Sequence, residues 1–237
     1  MRDFIDIVEM ATPSSQIVDK LYYHGTKTKE AAKSIWKNGL VSSFTDDKYN
    51  GKKALYRPVD GNVYVTTDLK YAIIYALGGV LMGSDYLEKR DPKGFGYLFV
   101  FNGTELNDIQ PDEDSVGEMV HDCLLKQIHS DRHPDSVINT SPTVRRLANK
   151  AKAEMSPRTI EKAIDGEYSA WIRIGKYLLS RMTDEQKLEL IDLGAHVANK
   201  GNMLPHQMWA IPYKQVKHLD RDGSNFFEYA KLISERK

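Results

Sequence analysis

The chain has 237 residues, with 33 basic and 33 acidic side chains and a formal net charge of zero. This length suffices for one large domain, or a domain with a subdomain. The balanced charge excludes a global attraction to nucleic acid or to an anionic membrane, so any such contact must be local. The single cysteine, Cys123, excludes an intramolecular disulfide and predicts a reducing compartment, the cytoplasm. No apolar run approaches the length of a membrane span.

Residues 1–20 predict a short helical leader. Acidic residues interrupt its apolar positions and no small-residue cleavage site follows, which is unlike a secretory signal. The sequence Ile7-Val8-Glu9 weakly resembles the cleavage site of leaders on proteins packaged in the heads of T4-like bacteriophages. An ordinary N-terminal helix that ends at Thr12-Pro13 explains the segment equally well.

The segment 21–110 predicts the N-terminal part of an α+β core. Two helices are expected in it, one capped by Thr28 and ended by Asn38-Gly39, the other capped by Asp68. The polar stretch Ser42–Asp60 predicts an exposed loop close to a binding pocket. Three strands are predicted from β-branched and aromatic patterns: Leu21–His24, Val63–Thr66 and Gly94–Phe101.

The segment 111–201 has helical periodicity throughout and predicts a helical insertion, because an unstructured loop of that length is improbable. Ser115-Val-Gly-Glu118 fits a capping box that begins a helix running to Ile128. Residues 202–237 are expected to complete the core with the strand Met208–Pro212 and a last helix after Gly223. The remaining helices are predicted over Ser141–Lys152, Pro157–Ile164, Ala170–Arg181 and Thr183–Asn199.

The most informative residues lie between positions 22 and 75. His24 closes a predicted strand, where its ring can donate a hydrogen bond to a ribose hydroxyl. Gly25 lets a ligand amide reach the backbone without a β-carbon in the way. Tyr64, on a strand, and Tyr75, on the next helix, offer two aromatic faces to a flat cationic ring. Together these residues predict a nicotinamide pocket.

This set resembles the H-Y-E class of ADP-ribosyltransferases, the group of diphtheria toxin and the poly(ADP-ribose) polymerases, with the tRNA 2′-phosphotransferases as more distant members. The resemblance implies an ADP-ribosyltransferase fold, two small, mainly antiparallel sheets around an NAD cleft. It implies that NAD is bound as co-substrate, without a metal. The NAD-binding residues that it implies are His24, Gly25, Thr26, Tyr64 and Tyr75.

Gln207 is the serious departure from that pattern. The family has a glutamate just ahead of a C-terminal strand, and Gln207 stands in that place before Met208–Pro212. The resemblance implies that it completes a catalytic set with His24 and Tyr64. A glutamine keeps a hydrogen bond to a 2′-hydroxyl but supplies no negative charge. A smaller departure is Ala72, which lacks the hydroxyl that some poly(ADP-ribose) polymerases have there.

The function expected from the resemblance is transfer of ADP-ribose from NAD to a protein or nucleic-acid acceptor with release of nicotinamide. A phage effector acting in the host cytoplasm, also packaged in the virion, is one setting, and no membrane partner is expected. Three explanations of Gln207 stay open: an engineered substitution, a natural mono-ADP-ribosylating variant, or a non-catalytic NAD or ADP-ribose sensor. RNA 2′-phosphotransfer and a structural virion protein are further alternatives.

Three other patterns have simpler explanations. His129 and His133 have the spacing of a helical metal pair, but no third ligand is evident in the sequence. The acids 112–114 are explained by the dipole of the helix that follows them. A basic face that contacts RNA, DNA or an acidic protein would come from Arg145, Arg146, Lys150, Lys152, Arg173, Lys176 and Arg181, although a solvated helix face is the commoner outcome.

Overall fold

A computed structural model describes residues 20–41, 62–77, 94–129, 141–220 and 223–236. The leader motif at Ile7–Glu9, the predicted loop Ser42–Asp60 and His133 lie outside these ranges. Among the described residues, no helix combines the length and the apolar character that crossing a membrane requires.

The described part contains seven strands and eight α-helices, with 3-10 turns at Gly103–Glu105 and Tyr213–His218. The strands are β1 (Leu21–Thr26), β2 (Asn62–Val65), β3 (Phe95–Asn102), β4 (Gln110–Pro111), β5 (Val197–Lys200), β6 (Gln207–Pro212) and β7 (Lys231–Glu235). The helices are α1 (Lys29–Asn38), α2 (Leu69–Leu77), α3 (Glu113–Ile128), α4 (Pro142–Glu154), α5 (Pro157–Ile164), α6 (Tyr168–Leu179), α7 (Asp184–Asp192) and α8 (Phe226–Tyr229).

The strands form two small antiparallel sheets. One has the order β1-β3-β6-β7 and the other the order β2-β5-β4. The edges β1 and β2 meet at a bridge in which Tyr23 N donates to Thr66 O at 2.7 Å and Thr66 N donates to Tyr23 O at 3.0 Å. The predicted α+β class with two small antiparallel sheets is confirmed at this level.

The central strand β3 explains why its sequence is apolar on both sides. Leu98 and Phe99 are fully buried on opposite faces of the sheet, in two different apolar clusters. A strand covered on both faces has a continuous apolar run instead of a strict alternation. The cluster around Phe99 includes α1, and the cluster around Leu98 includes α2, so the two helices cover opposite faces.

The first two helices begin and end where the sequence predicts. The Thr28 hydroxyl accepts from Ala31 N, and Gly39 ends α1 with a φ of 86° that favours glycine. At α2 the Asp68 carboxylate accepts from Tyr71 N at 3.2 Å. Each boundary is defined by a local side-chain or backbone bond that the sequence makes visible.

Helices α3 to α6 pack around a core of their own. Fully buried side chains from these four helices meet in one cluster, among them Val120, Leu124, Val144, Ile174 and Leu178. The helix predicted over Pro157–Ile164 has those bounds in the structure.

Four sequence predictions about local structure are wrong. Helix α3 begins two residues before the predicted capping box, because Asp112 caps it and Ser115 instead accepts a hydrogen bond from His196 N. The helix predicted over Thr183–Asn199 ends at Asp192, where Gly194 takes a φ of 103°.

The other two differences follow from sheet pairing. Residues Val197–Lys200 pair antiparallel with β2, so the end of the predicted insertion is a strand of the sheet. The predicted last helix is a single turn, Phe226–Tyr229, and the chain then forms β7 against β6. Pairing with distant strands outweighs the local helical pattern at both places.

Two glycines permit α3 and α6 to cross closely. A β-carbon on Gly175 would overlap the carbonyl oxygen of Glu113, and one on Gly117 would overlap that of Trp171. The crossing therefore requires a hydrogen at both positions. It fixes the first turn of α3, which carries Glu113 and Asp114, against α6.

We expect Gly175→Ala to lower the free energy of unfolding by about 2 kcal/mol or more, a fall in Tm of roughly 4–8 °C. In a helix without that overlap, the same change would raise the free energy of unfolding by about 1 kcal/mol. The sign of the change in stability therefore shows whether the overlap is present. Thermal unfolding measures it. Arg173→Ala, at an exposed position of the same helix, is the control and should stay within about 0.5 kcal/mol.

Candidate functional site

A cavity of about 360 Å³ opens where β1 and β2 meet, next to α2 and the first turns of α3 and α6. Its size is near the lower end of the usual range for small-molecule sites, roughly 300–1,000 Å³. Four residues of the predicted nicotinamide pocket line it together: His24, Gly25, Tyr64 and Tyr75. Thr26 ends β1 beside them and is not part of the cavity wall.

His24 connects the two sheets at the cavity. Its Nδ1 lies 3.0 Å from the carbonyl oxygen of Tyr64, and since a carbonyl only accepts, Nδ1 carries the proton. Burial lowers the pKa of His24, which keeps the ring neutral. Nε2 then has a free lone pair. The ring can therefore accept a hydrogen bond from a ribose hydroxyl, the opposite direction to the donation predicted from the sequence.

Gly25 is required for packing. A β-carbon there would overlap the carbonyl oxygen of Ala72 and lie 2.5 Å from Ala76 N, so β1 and α2 approach closely only because Gly25 has no side chain. Ala72, where the resemblance noted a missing hydroxyl, is 1% exposed and packs in the same contact. The glycine thus brings the helix that carries Tyr75 to the end of β1.

Tyr75 is not a core residue. Its side chain is 62% exposed although it lines the cavity, so its ring is available for stacking. Tyr71, one helical turn earlier, also lines the cavity, with its ring centroid 5.8 Å from that of Tyr75 at an angle of 48°. With Tyr64 the cavity has aromatic groups on both β2 and α2. Tyr71 was missed in the sequence, although residues four apart share one face of a helix.

Gln207 is not brought to the cavity. It pairs with Val100 in β3, which in turn pairs with Tyr23, so Gln207 lies two strands from β1, about 10 Å away. Its Nε2 donates to Glu235 at 2.6 Å, and its Oε1 accepts from Trp209 Nε1 at 3.0 Å. Both ends of the side chain are thus engaged in the sheet.

An acidic wall formed by Asp112, Glu113 and Asp114 lines the cavity instead. Asp112 also caps α3, since its carboxylate accepts from Asp114 N at 3.3 Å, so the dipole explanation predicted from the sequence accounts for only part of its role. The Tyr168 hydroxyl donates to Asp114, and Lys176 lies 3.8 Å from the Glu113 carboxylate.

The carboxyls of this wall hold their protons unusually tightly. Burial, followed by the charges of Asp114 and Glu113, raises the pKa of Asp112 well above its usual range. Burial is also the first cause that raises the pKa of Asp114 and of Glu118, which lies close by. A cation bound in the cavity would stabilise the ionised forms of these carboxyls and offset part of the cost of burying their charges.

His196 is a second imidazole at the cavity, and the sequence prediction missed it because it fell inside a predicted helix. It precedes β5, and α3 holds it on both sides: Asp112 N donates to its carbonyl at 2.7 Å and its own N donates to the Ser115 hydroxyl at 3.1 Å. Its ring packs edge-on against Tyr71 at 4.3 Å. Burial lowers the pKa of His196, so this ring is also neutral.

No family model matches the chain, and neither the curated proteins nor the solved structures contain a match to it. The residues of the cavity themselves define its chemistry. Aromatic rings and carboxylates suit a flat cationic ligand, and two neutral imidazoles supply hydrogen-bonding nitrogens.

The other predicted candidates that the structure describes do not line this cavity. His129 follows the last turn of α3. Four members of the predicted basic face have local partners: Arg146 donates to Thr143, Lys152 to Gln127, Lys176 pairs with Glu113, and Arg181 lies 3.9 Å from the centre of the Tyr177 ring.

Proposed function

We propose that this chain is an ADP-ribosyltransferase that holds the nicotinamide and ribose end of NAD in the cavity and transfers ADP-ribose to a macromolecular acceptor. The observation that carries the proposal is the meeting of His24, Gly25, Tyr64 and Tyr75 at one cavity. These residues come from β1, β2 and α2, and they were selected from the sequence for this chemistry alone. In the proposal Tyr64 and Tyr75 hold the ring, and His24 accepts from a ribose hydroxyl.

The acidic wall supplies the negative charge that Gln207 cannot. In the proposed reaction the bond between ribose C1′ and the nicotinamide nitrogen breaks, its electron pair goes to nicotinamide, and an acceptor lone pair forms the new bond to C1′. Positive charge grows on the ribose as the bond breaks, and an ionised Asp112 stabilises it. The carboxylate then takes the proton that the acceptor loses, a task for which a raised pKa is suited.

The charge of the cavity disfavours RNA 2′-phosphotransfer. That reaction needs basic groups to hold a phosphate, and among the described residues the wall has three carboxyls and neither lysine nor arginine. A non-catalytic NAD sensor is the second candidate, favoured by the position of Gln207. It predicts saturable NAD binding without release of nicotinamide.

Stacking on Tyr75 is tested by calorimetric titration with NAD. Tyr75→Ala should weaken binding by about 1 kcal/mol, roughly five-fold, without changing stability because the side chain is largely exposed. Tyr75→Phe keeps the ring and should bind as the native protein does. Equal affinities of the native and alanine proteins, or no binding of NAD to the native protein, would contradict the proposed pocket.

A further inference from the structure

A second cavity, of about 240 Å³, lies between α5 and the start of α6. Unlike the first, it has no aromatic side chain in its wall among the described residues. Its hydroxyls and cations come from both helices: Ser156, Thr159, Ser169, Arg158, Lys162 and Arg173. The predicted basic face contributed only Arg173 to this group.

The cavity has an excess of positive charge. Glu167 is the one carboxylate in its described wall. Its two oxygens accept from Lys162 at 3.0 and 2.7 Å, and one also accepts from Ser169 at 2.6 Å. Lys162 is thereby neutralised. Arg158 and Arg173 are exposed and form no hydrogen bond or salt bridge with any described residue, so two guanidinium groups remain for a ligand.

The first turns of α6 connect this cavity to the first one. Tyr168 and Ile172 line the first cavity, whereas Ser169 and Arg173 line the second. Residues four apart lie on one helix face, so each pair presents one face of α6 to its own cavity. The cavities are therefore separated by about the width of a helix, roughly 10 Å.

We propose that the second cavity binds a backbone phosphate of a single-stranded nucleic acid, which is the acceptor of the ADP-ribose. Guanidinium groups match the oxygens of a phosphodiester. The Ser156 and Thr159 hydroxyls share one hydrogen bond at 2.8 Å, which leaves one O–H of the pair to donate to a ligand. A single strand repeats its phosphates at short intervals, so a strand held here can present a neighbouring nucleotide at the first cavity, beside the exposed Tyr75. The identification as acceptor rests on the proposed function; the binding itself does not.

The test is fluorescence anisotropy of a short, labelled single-stranded RNA of mixed sequence, measured at several salt concentrations. The native protein should bind it. In the double variant Arg158→Gln, Arg173→Gln the slope of log affinity against log salt should shrink by about 0.7, the value for the one phosphate contact that is lost. The control Lys33→Gln, Lys37→Gln removes equal charge from exposed positions of α1 and should keep the native slope.

Three results would overturn the proposal. The first is absence of RNA binding by the native protein. The second is an equal decrease of the salt slope in both double variants, which would show only a general charge effect. The third is a loss of NAD affinity in the arginine variant with RNA binding unchanged, which would assign the cavity to the phosphates of NAD. RNA binding that depends on the arginines, in a protein that releases no nicotinamide, would contradict the proposed function and leave the phosphate site standing.

Discussion

Replacing His24 with alanine is expected to lower the rate of nicotinamide release from NAD by about 10- to 100-fold, the equivalent of one hydrogen bond of 1.5–3 kcal/mol to the reacting ribose. The same change removes the bond to the Tyr64 carbonyl, which ties β1 to β2. The free energy of unfolding should therefore fall by about 1 kcal/mol.

His24→Asn separates the two effects. Its side-chain amide can donate to the Tyr64 carbonyl much as Nδ1 does, but it places no acceptor where Nε2 stands. We expect this variant to unfold close to the native temperature and to be as slow as the alanine variant. A fully active asparagine variant would mean that Nε2 has no part in the reaction.

The second large effect concerns the source of the negative charge. Asp112→Asn should slow nicotinamide release by about 100-fold, because the cavity loses a carboxylate close to the developing charge.

Gln207→Glu should change the rate by no more than roughly two-fold, within about 0.5 kcal/mol, because this side chain is bonded to Glu235 and Trp209 outside the cavity. A strong gain of activity in Gln207→Glu would instead give Gln207 the catalytic place implied by the family resemblance.

Stability against pH gives an independent measure of Asp112. Burial and the neighbouring acids raise its pKa in the folded protein, so the folded state binds the proton more tightly than the unfolded chain does. The free energy of unfolding consequently falls as pH rises from the usual carboxyl range through the raised pKa. Asparagine is as good a helix cap as aspartate. Asp112→Asn should therefore be more stable than the native protein at neutral pH, and the difference should vanish in acid.

Local signals in the sequence were enough to predict the elements with clear ends. Thr28 and Gly39 define α1 because a cap and a left-handed glycine act within one turn. Strand β5 was missed because it follows α7 closely and because its extended form depends on pairing with β2, far away in the chain. No local pattern reports such a pairing.

The residues of the candidate site also fall into two groups, those that the sequence identified and those that it missed. The sequence motif selected His24, Tyr64 and Tyr75, because residue type and spacing carry that pattern. It missed His196 and the role of Asp112 at the cavity, since only the antiparallel pairing of β2 with β5 and the close crossing of α3 and α6 bring them there. A tertiary contact of this kind produces no periodic pattern of residue types in the sequence.

The central claim is that this cavity cleaves the bond between nicotinamide and ribose. The most direct test is chromatographic measurement of nicotinamide released from NAD by the native protein, with and without bacterial lysate as a source of acceptor, beside the slow control His24→Asn. We expect release that depends on His24 and is faster with acceptor. Saturable binding of NAD without release, in native protein with or without lysate, would contradict it and favour a sensor.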